Sequence, residues 1–239
     1  RKTILFLTLA LLLTGCEKTA PAPAVEDQLS VLAEKFNTLE SEIDWLPYVG
    51  SATTCAVTDL NDNGLLELVV TSVQGTGHFS TTYYYEVNEG GTDVTVWESA
   101  EDEFFSEPDL LKEFNVLMYL DADGIRHYIL SDYLRNGAAE SVVSLYSVVY
   151  KSGRIEYTYL AGKCERYNEE TRNFDTTYTD ADGTEITWEA FDAMADTVFA
   201  GMTKKVVTVG WSVYDALADL SQADLIQSFS YSYEAFRGE

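Results

Sequence analysis

The sequence is poor in the residues that most metal and catalytic centres use. Its 239 residues include only two histidines and three cysteines, and no Cys-x-x-Cys pair occurs. A zinc site needs several such ligands at short spacing, so we do not expect one. Gly-x-Ser-x-Gly, His-Glu-x-x-His, Ser-x-x-Lys and P-loop patterns are also missing. The sequence therefore contains no recognisable catalytic motif, and we predict no catalytic residue from it.

Positive charge is also scarce. Fifteen Lys and Arg residues stand against 40 Asp and Glu residues, which gives a formal net charge of −25. Such an acidic surface argues against nucleic acid as a partner and against electrostatic docking to anionic lipid headgroups. It suits the binding of cations, although scattered acidic residues in an exported domain often serve only solubility.

The one long apolar run lies at the start of the sequence. Arg1 and Lys2 precede an apolar stretch over residues 3–13, and small residues follow it. The stretch is too short for a permanent membrane span. A basic start and a small-residue exit are typical of a secretory signal peptide, so we predict one over residues 1–15.

The end of this stretch, Leu13-Thr14-Gly15-Cys16, resembles the bacterial lipobox. In that family a peptidase cuts before the cysteine, whose sulfur carries a diacylglycerol. The resemblance implies that Cys16 is the lipidated N-terminus of the mature protein. Buried acyl chains contribute about 0.8 kcal/mol per CH₂, so this anchor would tether the protein to a bacterial cell membrane, facing the extracytoplasmic side. The alternative is an ordinary signal peptide followed by a chance cysteine.

The two remaining cysteines, Cys55 and Cys164, leave two interpretations open. An even pair in an exported protein could form a disulfide. Each cysteine also lies in a strand-like, largely apolar segment, where a buried free thiol is just as natural.

The rest of the chain predicts an α+β fold. Residues 16–24 are polar and contain proline, which indicates a linker between the anchor and a folded domain. A helical stripe follows, formed by Leu29, Leu32, Phe36, Leu39 and Ile43. From about residue 53 the pattern changes to short runs of β-branched and aromatic residues separated by glycine-bearing turns.

Further helices are predicted after Ser106, over residues 188–202 with Thr187 as cap, and in two segments after residue 212, with Ser221 as the cap between them. We therefore predict a single α+β domain over residues 25–239, built on a mainly antiparallel meander with helices at both chain ends. A division near residue 110 or 170 into two smaller units is the alternative.

The segment 59–70, "DLNDNGLLELVV", combines oxygen-bearing side chains with a glycine ahead of an apolar run. It is not an EF-hand loop, because Val70 occupies the twelfth position, where a carboxylate is needed. The spacing of Asp59, Asn61, Asn63, Gly64 and Glu67 resembles the calcium loops of FG-GAP and integrin-type repeats. The resemblance implies a calcium site between two strands, with Asp59, Asn61, Asn63 and Glu67 as ligands.

Two of the four acid positions of that family pattern are asparagines here, so such a site would be weak. The alternative is a plain hairpin turn, because Asn-Gly is a favoured turn dipeptide. The two "DADG" segments, at residues 121–124 and 180–183, lack half of the ligand set, and we predict that they are hairpin turns.

These features predict a surface-anchored lipoprotein of the binding or interaction type, which takes an extracytoplasmic ligand or protein partner and uses calcium for stability. The alternative is an extracytoplasmic hydrolase that acts on glycan or peptidoglycan with two paired carboxylates.

Overall fold

The computed structural model of the chain describes residues 21–43, 52–74, 79–99, 113–151 and 153–238. The predicted signal peptide, Cys16 and the helix predicted after Ser106 lie outside the described residues. The predicted linker is described from residue 21 onward. None of the described helices is both long enough and apolar enough to cross a membrane.

The described strands form two sheets. The strands of the first sheet are β1 (Ala52–Thr58), β2 (Glu67–Gln74), β3 (Phe79–Val87), β4 (Val94–Val96) and β13 (Ser212–Val213). Their order across the sheet is β13-β1-β2-β3-β4, and all of these neighbours are antiparallel.

The second sheet is longer and follows the same plan. Its strands are β5 (Glu98–Ser99), β6 (Asn115–Leu120), β7 (Arg126–Asn136), β8 (Glu140–Lys151), β9 (Arg154–Asn168), β10 (Asn173–Asp180), β11 (Glu185–Ile186) and β12 (Thr203–Thr208). Seven of them run in the antiparallel order β11-β10-β9-β8-β7-β6-β12, and β5 adds a short parallel pairing with β9. Both sheets are meanders closed at one edge by a strand from the C-terminal part of the chain, so the mainly antiparallel prediction is confirmed.

Helices form at both ends of the chain, as predicted. They are α1 (Val25–Phe36), α2 (Leu39–Glu42), α3 (Trp188–Asp192), α4 (Met194–Val198), α5 (Tyr214–Ala218) and α6 (Gln222–Arg237). The single helix predicted over 188–202 is instead two short helices, α3 and α4, with a break at Ala193. Thr187 caps α3 and Ser221 caps α6 through side-chain oxygens that accept backbone N–H groups, which confirms both predicted caps.

The first sheet lies between helices and the second sheet. In β1, Cys55 and Val57 pack with α1, α5 and α6, whereas Ala56 packs with the second sheet. In β3, Tyr85 likewise packs with the helices and Tyr84 packs with the second sheet. This alternation follows from the two-residue period of a strand and gives the first sheet an apolar surface on both faces. A smaller apolar cluster joins α4 to the far side of the second sheet.

Helix α6 is bonded closely to the first sheet. The Ser232 hydroxyl accepts the Val57 N–H at 2.8 Å and donates to the Gly210 carbonyl at 2.7 Å. A Cβ atom on Gly210 would lie 2.8 Å from the Ser232 Cα, so only glycine permits this approach. The C-terminal end of α6 is thereby held near the loop that follows β1.

The two cysteines of the described part of the chain lie in different sheets. Cys55 is buried in β1, Cys164 is partly exposed in β9, and both are free thiols. Of the two alternatives that the sequence left open, the structure therefore has the free thiols and not the disulfide. Burial raises the pKa of the Cys55 thiol, so this group remains protonated and unreactive.

Candidate functional site

The loop 59–66 joins β1 to β2 and forms the centre of the candidate site. The two strands pair up to Thr58 and Glu67, which lie opposite each other at the base of the loop. Gly64 has a φ of 80° and Asp62 a φ of 60°, so the loop makes its turn through left-handed residues. The strand–loop–strand arrangement predicted for this segment is confirmed.

Two buried carboxylates flank the loop, and each has one oxygen without a hydrogen-bond donor. Glu67 accepts the Thr58 hydroxyl at 2.9 Å and the Leu60 N–H at 3.0 Å, both through Oε2. Asp59 accepts the Gly64 N–H at 3.3 Å through Oδ2. Glu67 Oε1 and Asp59 Oδ1 are buried and receive no hydrogen bond within the described part of the chain. Unpaired buried carboxylate oxygens are costly unless a proton or a cation accompanies them.

Burial shifts the proton equilibrium of both groups. Loss of solvent raises the pKa of Asp59 from 3.8 to about 6, against the opposing influence of the Arg126 charge. It also raises the pKa of Glu67 well above 4.5, and the negative charges of Asp59 and Glu86 add to that rise. The charge of Asp59 thus opposes ionisation of Glu67, and burial together with this neighbour favours the protonated form of Glu67 when no cation is bound.

A third buried carboxylate, Glu86 on β3, orients the two asparagines of the loop. Its Oε1 accepts the side-chain N–H₂ groups of Asn61 at 3.1 Å and Asn63 at 2.8 Å, and its Oε2 accepts the Trp97 indole N–H at 3.1 Å. The amide oxygens then point to the loop backbone: Asn61 Oδ1 accepts the Asn63 N–H and Asn63 Oδ1 accepts the Leu65 N–H. Each oxygen keeps a second lone pair, so it could still bind a metal ion.

Other elements fix the loop from outside. Gln28 of α1 is fully buried, donates to the Gly64 carbonyl at 2.9 Å and accepts the Leu66 N–H at 2.7 Å. Arg126 of β7 donates to the Asp59 carbonyl at 2.7 Å and forms an ion pair with Asp62. Tyr128 of the same strand donates to the Leu60 carbonyl at 2.8 Å. Four elements (α1, β3, β7 and the hairpin itself) thus hold the loop in one conformation.

The donor set fits a hard cation only in part. In the described part of the chain, no three His, Cys, Asp or Glu side chains converge on one point that could hold a metal ion. The loop offers two carboxylates, Asp59 and Glu67, so a cation here would need amide and backbone oxygens to complete its shell. Calcium takes six to eight oxygens of these mixed types, and fewer charged ligands give weaker binding.

The two other predicted turns show what a satisfied loop of this kind looks like. Asp121 Oδ1 accepts the N–H groups of Asp123 at 2.9 Å and Ile125 at 2.8 Å. Asp180 Oδ1 accepts those of Asp182 at 3.0 Å and Thr184 at 2.9 Å. Both segments close antiparallel hairpins, as predicted. The carboxylates of these turns are exposed or half-buried, whereas those of the loop 59–66 are buried.

Sequence reasoning missed Glu86, Gln28 and Arg126, which position the loop. Glu86 stands between Tyr85 and Val87, and an acid inside such an apolar strand was the one available signal. Gln28 and Arg126 contact the loop across 36 and 67 residues, and no local pattern announces such contacts.

The alternative prediction of a hydrolase with paired carboxylates would need an acid whose pKa is raised. Among the described residues, Asp59 and Glu67 are the carboxyl groups with raised pKa values. Both are buried, with at most 7% of their surface exposed, so this pair cannot contact a glycosidic bond in the conformation seen.

The chain matches no known protein family, and no curated protein or solved structure shows significant similarity to it.

Proposed function

We propose that this protein is a lipid-anchored, extracytoplasmic binding protein of a bacterial cell envelope, and that the loop 59–67 binds one calcium ion. The observation that carries the calcium proposal is the pair of buried oxygens, Asp59 Oδ1 and Glu67 Oε1, that receive no donor within the described residues. A divalent cation would neutralise both carboxylates at once, which a neutral donor could not do.

The loop favours calcium over other common metals. Its ligands are carboxylate, amide and carbonyl oxygens, which are hard donors. Within the described part of the chain, Asp59 and Glu67 have no imidazole or thiolate among their hydrogen-bond partners. Magnesium requires near-ideal octahedral geometry, to which a mixed loop of this kind adapts poorly. With two charged ligands, we expect a dissociation constant of about 10⁻⁴–10⁻³ M, the range of extracellular calcium modules.

The anchor rests on the sequence of the first sixteen residues. A basic start, a short apolar stretch and Leu13-Thr14-Gly15-Cys16 together favour export followed by lipidation of Cys16. Calcium sites of extracellular modules have the same weak affinity that we expect for this loop. The anchor and the calcium site therefore support the same location for the protein.

The experiment is thermal unfolding of the purified domain with chelator, with about 5 mM calcium and with about 5 mM magnesium. We expect calcium to raise the melting temperature by a few degrees and magnesium to raise it much less. Asp59→Asn should abolish the calcium effect. Asp180→Asn is the matched control, since it changes an Asp of a similar turn that lacks buried unpaired oxygens, and it should leave the effect intact. An equal response of wild type and Asp59→Asn would show that the loop is only a turn.

A further inference from the structure

The central strands of the second sheet continue beyond its buried part. The last buried side chain of β7 is Leu130, although the strand extends to Asn136. In β8 the first buried side chain is Ser147, and β10 has no buried side chain. The far ends of these strands therefore form a segment of sheet that contributes little to the core.

Three aromatic side chains lie on this exposed segment. Tyr133 of β7 and Phe174 of β10 expose 47% and 54% of their surface. Tyr167 of β9 is 39% exposed and meets Phe174 edge to face, with the ring centres 5.4 Å apart. Exposed aromatic rings that gather at one place often mark a binding surface, because they do not serve the core there.

A shallow trough of about 250 Å³ lies between Tyr133 and Phe174, and both rings line it. Arg135, Ser141 and Glu165 lie opposite one another on β7, β8 and β9, so they project from one face of the sheet and line the trough between the rings. Three strand spacings separate β7 from β10, which places the two aromatic walls about 14 Å apart. The trough thus has an aromatic ring at each side and a polar floor.

The polar floor is held in place by contacts within the sheet. Glu165 accepts the Ser141 hydroxyl at 3.2 Å and forms an ion pair with Lys163 at 2.7 Å. Glu140, at the end of the trough, accepts the Arg166 side chain at 2.7 Å. A carboxylate has about four lone-pair sites, so both glutamates can accept further donors from a ligand. The charged lining consists of one arginine and two glutamates, a net charge of −1.

We propose that this trough binds a neutral oligosaccharide, whose sugar rings lie against Tyr133 and Phe174 and whose hydroxyl groups bond Arg135, Ser141 and Glu165. One face of a sugar ring presents C–H groups, which pack on an aromatic ring, and its hydroxyls both donate and accept hydrogen bonds. The proposal rests on the proposed function, because it gives the extracytoplasmic binding protein its class of ligand.

Charge and polarity separate this class of ligand from others. The trough carries a net negative charge on a chain of formal charge −25, so nucleotides and acidic polysaccharides are repelled. A wholly apolar ligand would displace water from the charged floor without replacing its hydrogen bonds, which is costly. A neutral sugar avoids the repulsion and replaces that water with hydroxyl groups. The trough is smaller than the usual ligand site of about 300–1,000 Å³, so we expect it to contact only a few sugar units.

The test is an NMR titration of ¹⁵N-labelled protein over residues 17–239, which retains every described residue. The probes are maltotriose, cellotriose and N-acetylated chitotriose, three neutral trisaccharides of different linkage and substitution. Glycerol supplies hydroxyls without a ring, and trigalacturonate supplies sugar rings with negative charge. We expect saturable shifts at the backbone amides of residues 133–141 and 165–176 with at least one neutral probe, and much weaker effects with glycerol and trigalacturonate. The affinity for the neutral probe should change little with salt.

Substitutions of Phe174 separate stacking on a ring from plain apolar contact. Phe174→Leu keeps an apolar side chain without the ring and should weaken binding by about tenfold. Phe174→Tyr keeps the ring and should bind as wild type does. Because Phe174 is more than half exposed, neither change should prevent folding. Tyr231→Ala is the matched control: Tyr231 is 60% exposed on α6, outside the trough, and its loss should leave the affinity unchanged.

The proposal would be overturned by equal affinities of wild type and Phe174→Leu, by trigalacturonate binding as tightly as the neutral probes, or by no saturable shift at the trough amides with any neutral probe. The calcium response of the melting temperature is measured on the same samples. If that response is intact while no neutral probe binds, the trough proposal is wrong and the calcium site stands. If a neutral probe binds at the trough without any calcium response, the calcium site is wrong and the trough stands.

Discussion

Glu67 and Glu86 lie directly opposite each other on the antiparallel strands β2 and β3, and both side chains are buried. Like charges at such a cross-strand position are destabilising. The amides of Asn61 and Asn63 and the Trp97 indole donate hydrogen bonds to Glu86, whereas Glu67 Oε1 receives none from a described residue. Two buried carboxyl groups at such a position, close to the buried Asp59, are an arrangement that a bound cation would stabilise in its ionised form.

Replacement of Glu67 by glutamine should affect the stability of the metal-free protein and of the calcium-bound protein differently. The glutamine oxygen can still accept the Thr58 hydroxyl and the Leu60 N–H, and the negative charge is removed. In chelator, we expect the free energy of unfolding of Glu67→Gln, measured with urea at neutral pH, to exceed that of wild type by about 0–2 kcal/mol. In calcium, wild type should gain stability and Glu67→Gln should not.

Glu165→Gln is the control for this change, because Glu165 is a strand glutamate that is paired with Lys163 away from the loop. It should leave the calcium response unchanged. A loss of several kcal/mol in metal-free Glu67→Gln would contradict this prediction, since the metal-free fold would then depend on the glutamate itself.

The stability of the metal-free protein should depend on pH through Asp59. Its pKa is raised by burial from 3.8 to about 6, so the folded state holds the proton more tightly than the unfolded state. The stabilisation is therefore complete below about pH 4 and is lost as the pH rises through about 6, by about 3 kcal/mol at most. Asp59→Asn removes this contribution. The difference in unfolding free energy between wild type and Asp59→Asn should change over pH 4–7 in chelator, and much less in calcium, which binds the ionised form.

Gln28 is predicted to be essential for the position of the loop. Its replacement by alanine leaves the Leu66 N–H and the Gly64 carbonyl without their partners in a buried environment. Each lost partner costs roughly 1–3 kcal/mol, so urea unfolding should show a destabilisation of about 2–4 kcal/mol. Gln227→Ala is the control, because this helical glutamine is exposed and its hydrogen bond in the described part of the chain is to Tyr231 on the same helix. Its loss should cost less than about 0.5 kcal/mol.

The anchor can be tested in bacteria that express the full-length precursor. Labelled palmitate should be incorporated into the wild-type protein, which should fractionate with membranes. Cys16→Ser should remove both properties and leave the exported domain in the soluble fraction. Cys164→Ser, which changes a free thiol in β9, should label as wild type does. Labelling of the Cys16→Ser variant would contradict the assignment of the lipid to this residue.

Local patterns predicted the elements of the fold well. The stripe from Leu29 to Leu39 is buried, Thr187 and Ser221 cap their helices, and Asn63-Gly64 turns the chain between β1 and β2. All of these depend on residues close in sequence, whose spacing is fixed by the helix or strand period. The break at Ala193, which divides one predicted helix into two, carries no such signal.

The surroundings of the loop could not be predicted in this way. The Glu67–Glu86 pairing depends on the register of β2 and β3, and a shift of one residue would place Glu86 on the other face. Contacts of Gln28 and Arg126 with the loop depend on how α1 and the second sheet pack against it. The sequence therefore indicated an oxygen-rich loop. The burial of its two carboxylate oxygens that receive no hydrogen bond from a described residue became visible only in the structure.

Calorimetric titration of the chelator-treated domain with calcium measures directly whether the loop 59–67 binds the ion. We expect one ion per chain with a dissociation constant of about 10⁻⁴–10⁻³ M, and the loss of this binding in Glu67→Gln but not in Asp180→Asn. No saturable calcium binding by the wild-type domain, or the same binding by Glu67→Gln, would contradict it.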